Sequence, residues 1–113
     1  MRGDRPIGTE YERESLFAAH IRARARHLGW LVYGVPDSRR SFDSGFLDLV
    51  MVHPRRLLMA VVECKSDTGR YTSEQAGWID ALVGVSGGWS GFTVEIWRPR
   101  DADRINRYLE GDL

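Results

Sequence analysis

Two rhythms of apolar and polar positions run along the chain, one helical and one strand-like. Between Thr9 and Leu28, taking ~100° per residue, Phe17, Ala18, Ile21, Ala25 and Leu28 fall on one apolar face. This predicts a helix with Thr9 as N-cap and Gly29 as its C-terminal stop. Glu14 lies at the N-terminal end of that face and Glu12 points the other way. Arg13, Arg22, Arg24 and Arg26 lie mostly off the stripe and read as a solvated basic face. WLVYGV (30–35) is aromatic and β-branched and reads as a strand, followed by the polar loop PDSRRSFDSG. FLDLVMVH (46–53) and LLMAVVECK (57–65) are two further strands, and the short Pro54-Arg55-Arg56 link suits an antiparallel hairpin. After SDTGRYTS, Thr72 and Gln75 form a capping-box pattern that opens a helix through about Val85, bracketed at its end by Gly84, Gly87, Gly88 and Gly91. GFTVEIW (91–97) alternates as a strand, Pro99 stops it, and Asp101 caps a last helix through Leu109. The predicted order is α-β-β-β-α-β-α, an α/β chain.

Two carboxylates break this pattern. Asp48 interrupts an apolar run and Glu63 follows LLMAVV, so each puts an ionisable group where a sheet buries hydrocarbon, which is costly for a lone carboxylate. A hairpin symmetric about the Arg55–Arg56 bond sets Asp48 opposite Glu63 on one face, and like charges so placed need a cation. Period-two alternation offers one, Lys65, on the face of Glu63; a divalent metal is the other. Cys64 points away and presents its backbone carbonyl near the strand end. Carboxylates with a carbonyl are hard ligands that select Mg2+ or Mn2+ over zinc. The plain alternative is a salt bridge of Asp48 or Glu63 with Lys65 or an arginine.

Composition narrows the setting. The 113 residues suit one compact domain with a single core; 42% are hydrophobic and 28% charged, ordinary values for a globular protein. No apolar run approaches the ~20 residues of a membrane-spanning helix, and the polar start MRGDRPIGTEYERE is no signal sequence, so a cytoplasmic protein is expected. Cys64 is the sole cysteine, and with His20, His27 and His53 it makes no zinc spacing. The formal net charge of zero argues mildly against nucleic acid. Against that, all the positive side chains except Lys65 are arginines, which bind phosphate as a fork, and an acidic cluster is locally neutralised once it holds cations.

At Glu14, GFLDLV (45–50), VVECKS (61–66) and TGRYTSEQAGW (68–78) with Gln75, the sequence resembles the PD-(D/E)xK nucleases, and among them the small stand-alone VRR-NUC domains of phages and bacteria. LGWLVYGVPDSRRS and VEIWRP also look like family segments. Leu47 stands where the family motif usually has Pro, and Ala18 where a Gln is common; Glu10 is the substitute for Glu14 one turn earlier. The resemblance implies a restriction-endonuclease-like core, a mixed sheet of about four strands flanked by helices. It implies phosphodiester hydrolysis with Mg2+ or Mn2+, with Glu14, Asp48, Glu63, Lys65 and Gln75 as catalytic residues. Asp48, Glu63, the Cys64 carbonyl and Glu14 would hold metal, while Arg39, Arg40 and Arg70 are expected to contact DNA phosphates. Branched DNA is the implied substrate, and symmetric cutting of a four-way junction needs a C2 homodimer. A monomeric flap or nicking nuclease, an RNA-directed nuclease and a catalytically inactive DNA-binding module are the alternatives. His20, His27 and His53 are expected at the surface or boundary, Trp78 in the core, and Trp89 is left open.

Overall fold

A computed structural model describes residues 2–34 and 45–111. Arg39 and Arg40, two of the expected phosphate contacts, lie outside the described residues. The elements are α1 (Glu14–His27), β1 (Leu31–Gly34), β2 (Leu49–His53), β3 (Leu58–Cys64), α2 (Ser73–Ser86), β4 (Phe92–Trp97) and α3 (Ala102–Glu110), with 3-10 turns at Arg2–Asp4 and Pro99–Asp101. The helix and strand order is the one the sequence predicts. Among the described residues no helix is long and apolar enough to cross a membrane.

The four strands stand in the order β1-β2-β3-β4. β1 with β2 and β2 with β3 are antiparallel, and β3 with β4 is parallel through the α2 crossover. Leu49 is level with Val62 and His53 with Leu58, so the β2–β3 hairpin is symmetric about the Arg55–Arg56 bond, as expected. One face of this mixed sheet (Leu49, Met51, Ala60, Val62, Trp97) packs under α1 and α3 through Phe17, Ile21, Ala25, Ile105 and Leu109. The other packs under α2, where Val61 and Leu47 meet Ile79.

Several local expectations give way to long-range partners. α1 starts at Glu14, with Arg13 as N-cap making no side-chain cap, rather than at Thr9. The preceding residues are held by tertiary bonds: Ile7 exchanges both main-chain groups with the Asn106 amide (2.8 and 2.9 Å), and the Tyr11 hydroxyl meets His20 Nδ1. His20 is consequently buried, its other nitrogen 3.1 Å from the Arg5 carbonyl. His53 is buried too, edge-on to Trp30 and hydrogen-bonded to the Leu28 carbonyl. Arg24 leaves the solvated face to pair with Glu110 at 3.2 Å and the Gly3 carbonyl at 3.1 Å. Asp101 does not cap α3; its carboxylate accepts from Arg98 N across the 3-10 turn. Gly29, at φ +95°, ends α1 in the left-handed conformation that favours glycine.

Candidate active site

The strand expected from Phe46 begins at Leu49, and the residues before it bend toward α2. Gly45 makes that approach: its φ is +87°, and a Cβ there would lie 2.4 Å from Glu74 Cβ. Asp48 therefore sits one residue outside the ladder. Its Oδ2 accepts the Cys64 N–H at 2.8 Å, in place of the main-chain carbonyl that a longer β2 would supply. The register that puts Leu49 opposite Val62 brings Asp48 level with Glu63, on the face that α2 covers. Glu14, the first residue of α1, reaches the same point, and one carboxylate oxygen from each of Glu14, Asp48 and Glu63 lies within 4.8 Å of the others. Glu10 precedes the helix, is exposed and takes no part in this group.

Glu63 is fully buried and its two oxygens have opposite surroundings. Oε2 accepts from Gln75 Nε2 at 2.8 Å and lies 3.3 Å from Lys65 Nζ. Oε1 is buried without any hydrogen-bond partner. The Gln75 amide cannot turn freely, because its Oε1 accepts the Thr72 N–H at 2.9 Å while Thr72 Oγ1 accepts the Gln75 N–H at 3.1 Å. The capping box thus starts α2 and, through the orientation it imposes on the amide, aims the Gln75 NH2 at Glu63. Lys65 is itself buried, 7% exposed, so its ammonium faces the carboxylates rather than bulk water.

Burial and mutual repulsion make these acids weak. Burial first, then the Asp48 charge, push Glu63 up to about 7 against the relief given by Lys65. Burial also raises Asp48, eased by the Cys64 N–H, Lys65, the Glu63 side chain and Arg22, and it raises Glu14, where the Asp48 charge adds to the rise and Lys65 and Arg98 ease it. A lone buried ammonium does not neutralise three carboxylates, and the orphaned Glu63 oxygen lacks a donor. Both deficits are met by a hard divalent cation. The residues present therefore fit a hard divalent cation.

Arg22 and Arg98 were not singled out by the sequence. Arg22 sits two turns along α1 from Glu14, half-buried, with its charge felt at Asp48. Arg98 Nη1 donates to the Ser66 and Gly69 carbonyls at 2.6 and 2.7 Å, pinning the turn that follows Lys65 and carries the exposed Arg70. Its position in the VEIWRP segment, just past β4, was the available signal. Trp78 is 41% exposed rather than core, edge-on to Phe46 at 5.0 Å, and Trp89 is 65% exposed.

The chain matches the VRR-NUC domain family over residues 10–100, a span holding all of these residues. No curated protein and no solved structure matches it.

Proposed function

This chain belongs to the VRR-NUC domain family, and from that premise we propose a metal-dependent, structure-specific endonuclease that cuts branched DNA, with four-way junctions as the preferred substrate. Membership makes it a nuclease acting on DNA; metal dependence and the choice of substrate are the steps proposed. The observation that carries the metal is the buried, unpartnered Glu63 Oε1 within a trio of carboxylates already weakened by crowding.

Glu14, Asp48 and Glu63 would hold Mg2+ or Mn2+, with the Cys64 carbonyl as a further oxygen ligand. A bound divalent ion supplies the positive charge that polarises a phosphate and acidifies a water. The chain's own residues do the remaining work. Gln75 and Lys65 both occupy Glu63 Oε2, which holds the carboxylate rigid and leaves Oε1 without a hydrogen-bond donor. Lys65 orients the attacking water and offers its charge to the developing phosphorane-like oxygens, in a site where burial strengthens that attraction. Arg70, on the turn that Arg98 pins, reaches a DNA phosphate, and Arg39 and Arg40 are proposed for the same task. Symmetric cutting of a four-way junction requires two such sites, hence a homodimer.

The experiment is cleavage of a labelled four-way junction, with flap and linear duplex controls, in Mg2+, Mn2+ and EDTA, for wild type and Lys65→Ala. Paired metal-dependent nicks lost in the variant are expected. Cutting confined to flaps discards the junction preference and keeps the site. Tight binding with no cutting of any substrate removes catalysis.

A further inference from the structure

We propose that Arg22 is a substrate ligand of the site: with Arg70 it grips the cleaved DNA strand by phosphates on opposite sides of the scissile bond, so that the strand crosses the end of the sheet from the β1 side to the β4 side. This rests on the nuclease reading above and adds to it a residue and a path. Arg22 is half-buried, yet among the described residues it makes no hydrogen bond and no ion pair. The other arginines that the fold withdraws from water among these residues are all anchored. Arg24 holds Glu110 and the Gly3 carbonyl, Arg56 the Tyr108 and Leu109 carbonyls, and Arg98 the Ser66 and Gly69 carbonyls. A guanidinium that loses water and gains no acceptor leaves its N–H donors unmet, which is costly unless a ligand supplies the oxygens. Phosphate is the anion whose paired oxygens match that planar fork, and on a chain whose family acts on DNA it is the anion that comes to this site.

The fold places this unmet group beside the carboxylates. Ser15, Ala19, Arg22 and Arg26 recur at helical spacing and form the flank of α1 that looks toward β1. Arg26 is committed there, its Nη2 donating to the Val32 carbonyl at 3.1 Å. A Cβ at Gly34 would lie 3.5 Å from Arg22 Cδ, so the Arg22 stem passes over the last residue of β1. Gly34 is level with Leu49, the neighbour of Asp48, which puts that stem one strand and one residue from the carboxylates. Side chains on a helix lean toward its N-terminus, here the end that carries Glu14. Toward that end the flank holds only the exposed Ser15 and the half-buried Ala19, both too short to bar an anion from the guanidinium. Burial raises both Asp48 and Cys64, and the Arg22 charge works against the rise at each.

The sheet order gives the path. Arg22 lies beside β1, Asp48 leads into β2, and Glu63 stands near the end of β3 with Lys65 just past it. Arg70 follows the turn that Arg98, the residue after β4, holds through the Ser66 and Gly69 carbonyls. Three strand spacings at about 4.8 Å make ~14 Å, the length that about four nucleotides of one strand cover at a rise of ~3.4 Å each. Phosphates at the two ends of that line therefore fall on either side of one held at the carboxylates. The acidic trio repels an approaching strand, and a cation on each flank offsets that repulsion for the phosphates next to the one being cut. A permanent counter-ion of the trio would be ion-paired to it. Lys65, 3.3 Å from Glu63, fills that place, and Arg22 does not.

The test removes one phosphate charge at a time. With the cut bond mapped on labelled branched DNA, a single methylphosphonate is placed in turn at each phosphate just upstream and just downstream of it. For wild type, one such substitution on each side should slow cleavage about 10–100-fold. Arg22→Ala should slow cleavage of natural DNA by a similar factor and lose its sensitivity to the methylphosphonate on one side only, and Arg70→Ala should lose it on the other. Arg22→Lys, which keeps the charge without the fork, should recover part of the rate. The proposal is overturned if Arg22→Ala cuts natural DNA as fast as wild type, stays sensitive on both sides, or shares its insensitive side with Arg70→Ala. A wild type that cuts nothing sinks the nuclease reading instead, and the salt dependence of DNA binding then decides. Arg22→Ala should reduce the slope of log affinity against log salt by about 1, while Arg55→Ala, exposed in the far hairpin link, should not, and an Arg22→Ala slope equal to that of wild type overturns the proposal. Should Arg22→Ala lose its fold, Arg22→Gln, which keeps the stem over Gly34, takes its place in every comparison.

Discussion

Replacing Glu63 by Gln tests whether the carboxylate cluster is a metal site or a structural salt bridge, and it does so without any substrate. In the metal-free protein Glu63 holds its proton up to about pH 7, against an ordinary 4.5. Between those values the folded chain retains a proton that the unfolded chain releases, so stability falls as pH rises, by on the order of 3 kcal/mol once Glu63 is ionised. The crowding of Asp48 and Glu14 acts in the same direction. A Gln at 63 keeps an acceptor for Gln75 and Lys65, turns its NH2 toward the Asp48 and Glu14 side, and has nothing to ionise. Melts in EDTA should therefore show wild type losing on the order of 10 °C from about pH 5 to about pH 8, with Glu63→Gln nearly flat and the more stable of the two at the higher pH. Mg2+ or Mn2+ should restore the wild type at about pH 8 and leave the variant unmoved. If wild type melts equally at both pH values in EDTA, or the variant melts below it at the higher one, then Lys65 already neutralises Glu63 and the case for a resident cation collapses.

Three further outcomes follow from the same geometry. Lys65→Ala should slow cleavage by about 10²–10³-fold with an unchanged circular dichroism spectrum; a loss under about tenfold would remove Lys65 from the chemistry. Gln75→Ala, which frees the Glu63 carboxylate to turn, should weaken Mn2+ binding by about 10–100-fold in calorimetric titration, whereas unchanged affinity would leave Gln75 with a capping role alone. Gly45→Ala combines an unfavourable backbone angle with a 2.4 Å approach to Glu74 Cβ, so it should cost about 2 kcal/mol or more in urea denaturation, and a neutral result would mean the Phe46–Asp48 approach to α2 is loose.

The parts of the site legible in the sequence are those encoded by short-range geometry. Hairpin symmetry puts Asp48 level with Glu63 because the short Pro54–Leu57 link leaves the register little freedom, and alternation does the same for Lys65. The capping box is equally local, and it carries Gln75 to the site because the box that starts the helix also dictates which end of the amide points away from it. What escaped was set by partners far along the chain. Residues 9–13 could not be read as non-helical without knowing that Asn106, 99 positions away from Ile7, would hold the segment leading into them. His20, His53 and Arg24 are buried for the same reason, each satisfied by a carbonyl or carboxylate from a distant segment.

Trp78 shows a different kind of failure. Helical spacing from Gln75 and Leu82 makes it look like core, and the phase of the helix is indeed right, since Gln75 and Ile79 are buried. The error lies in assuming that an apolar helix side finds its cover within one chain. A four-stranded sheet is wide enough for about two helices per face, and among the described residues the face bearing Asp48 and Glu63 receives one. The other face receives both α1 and α3. An apolar pattern in sequence therefore records the demand for cover, and whether the fold meets it becomes visible only when the helices on each face are counted. On the face of the site α2 is the one helix among the described residues, and Trp78 on its flank keeps 41% of its surface exposed.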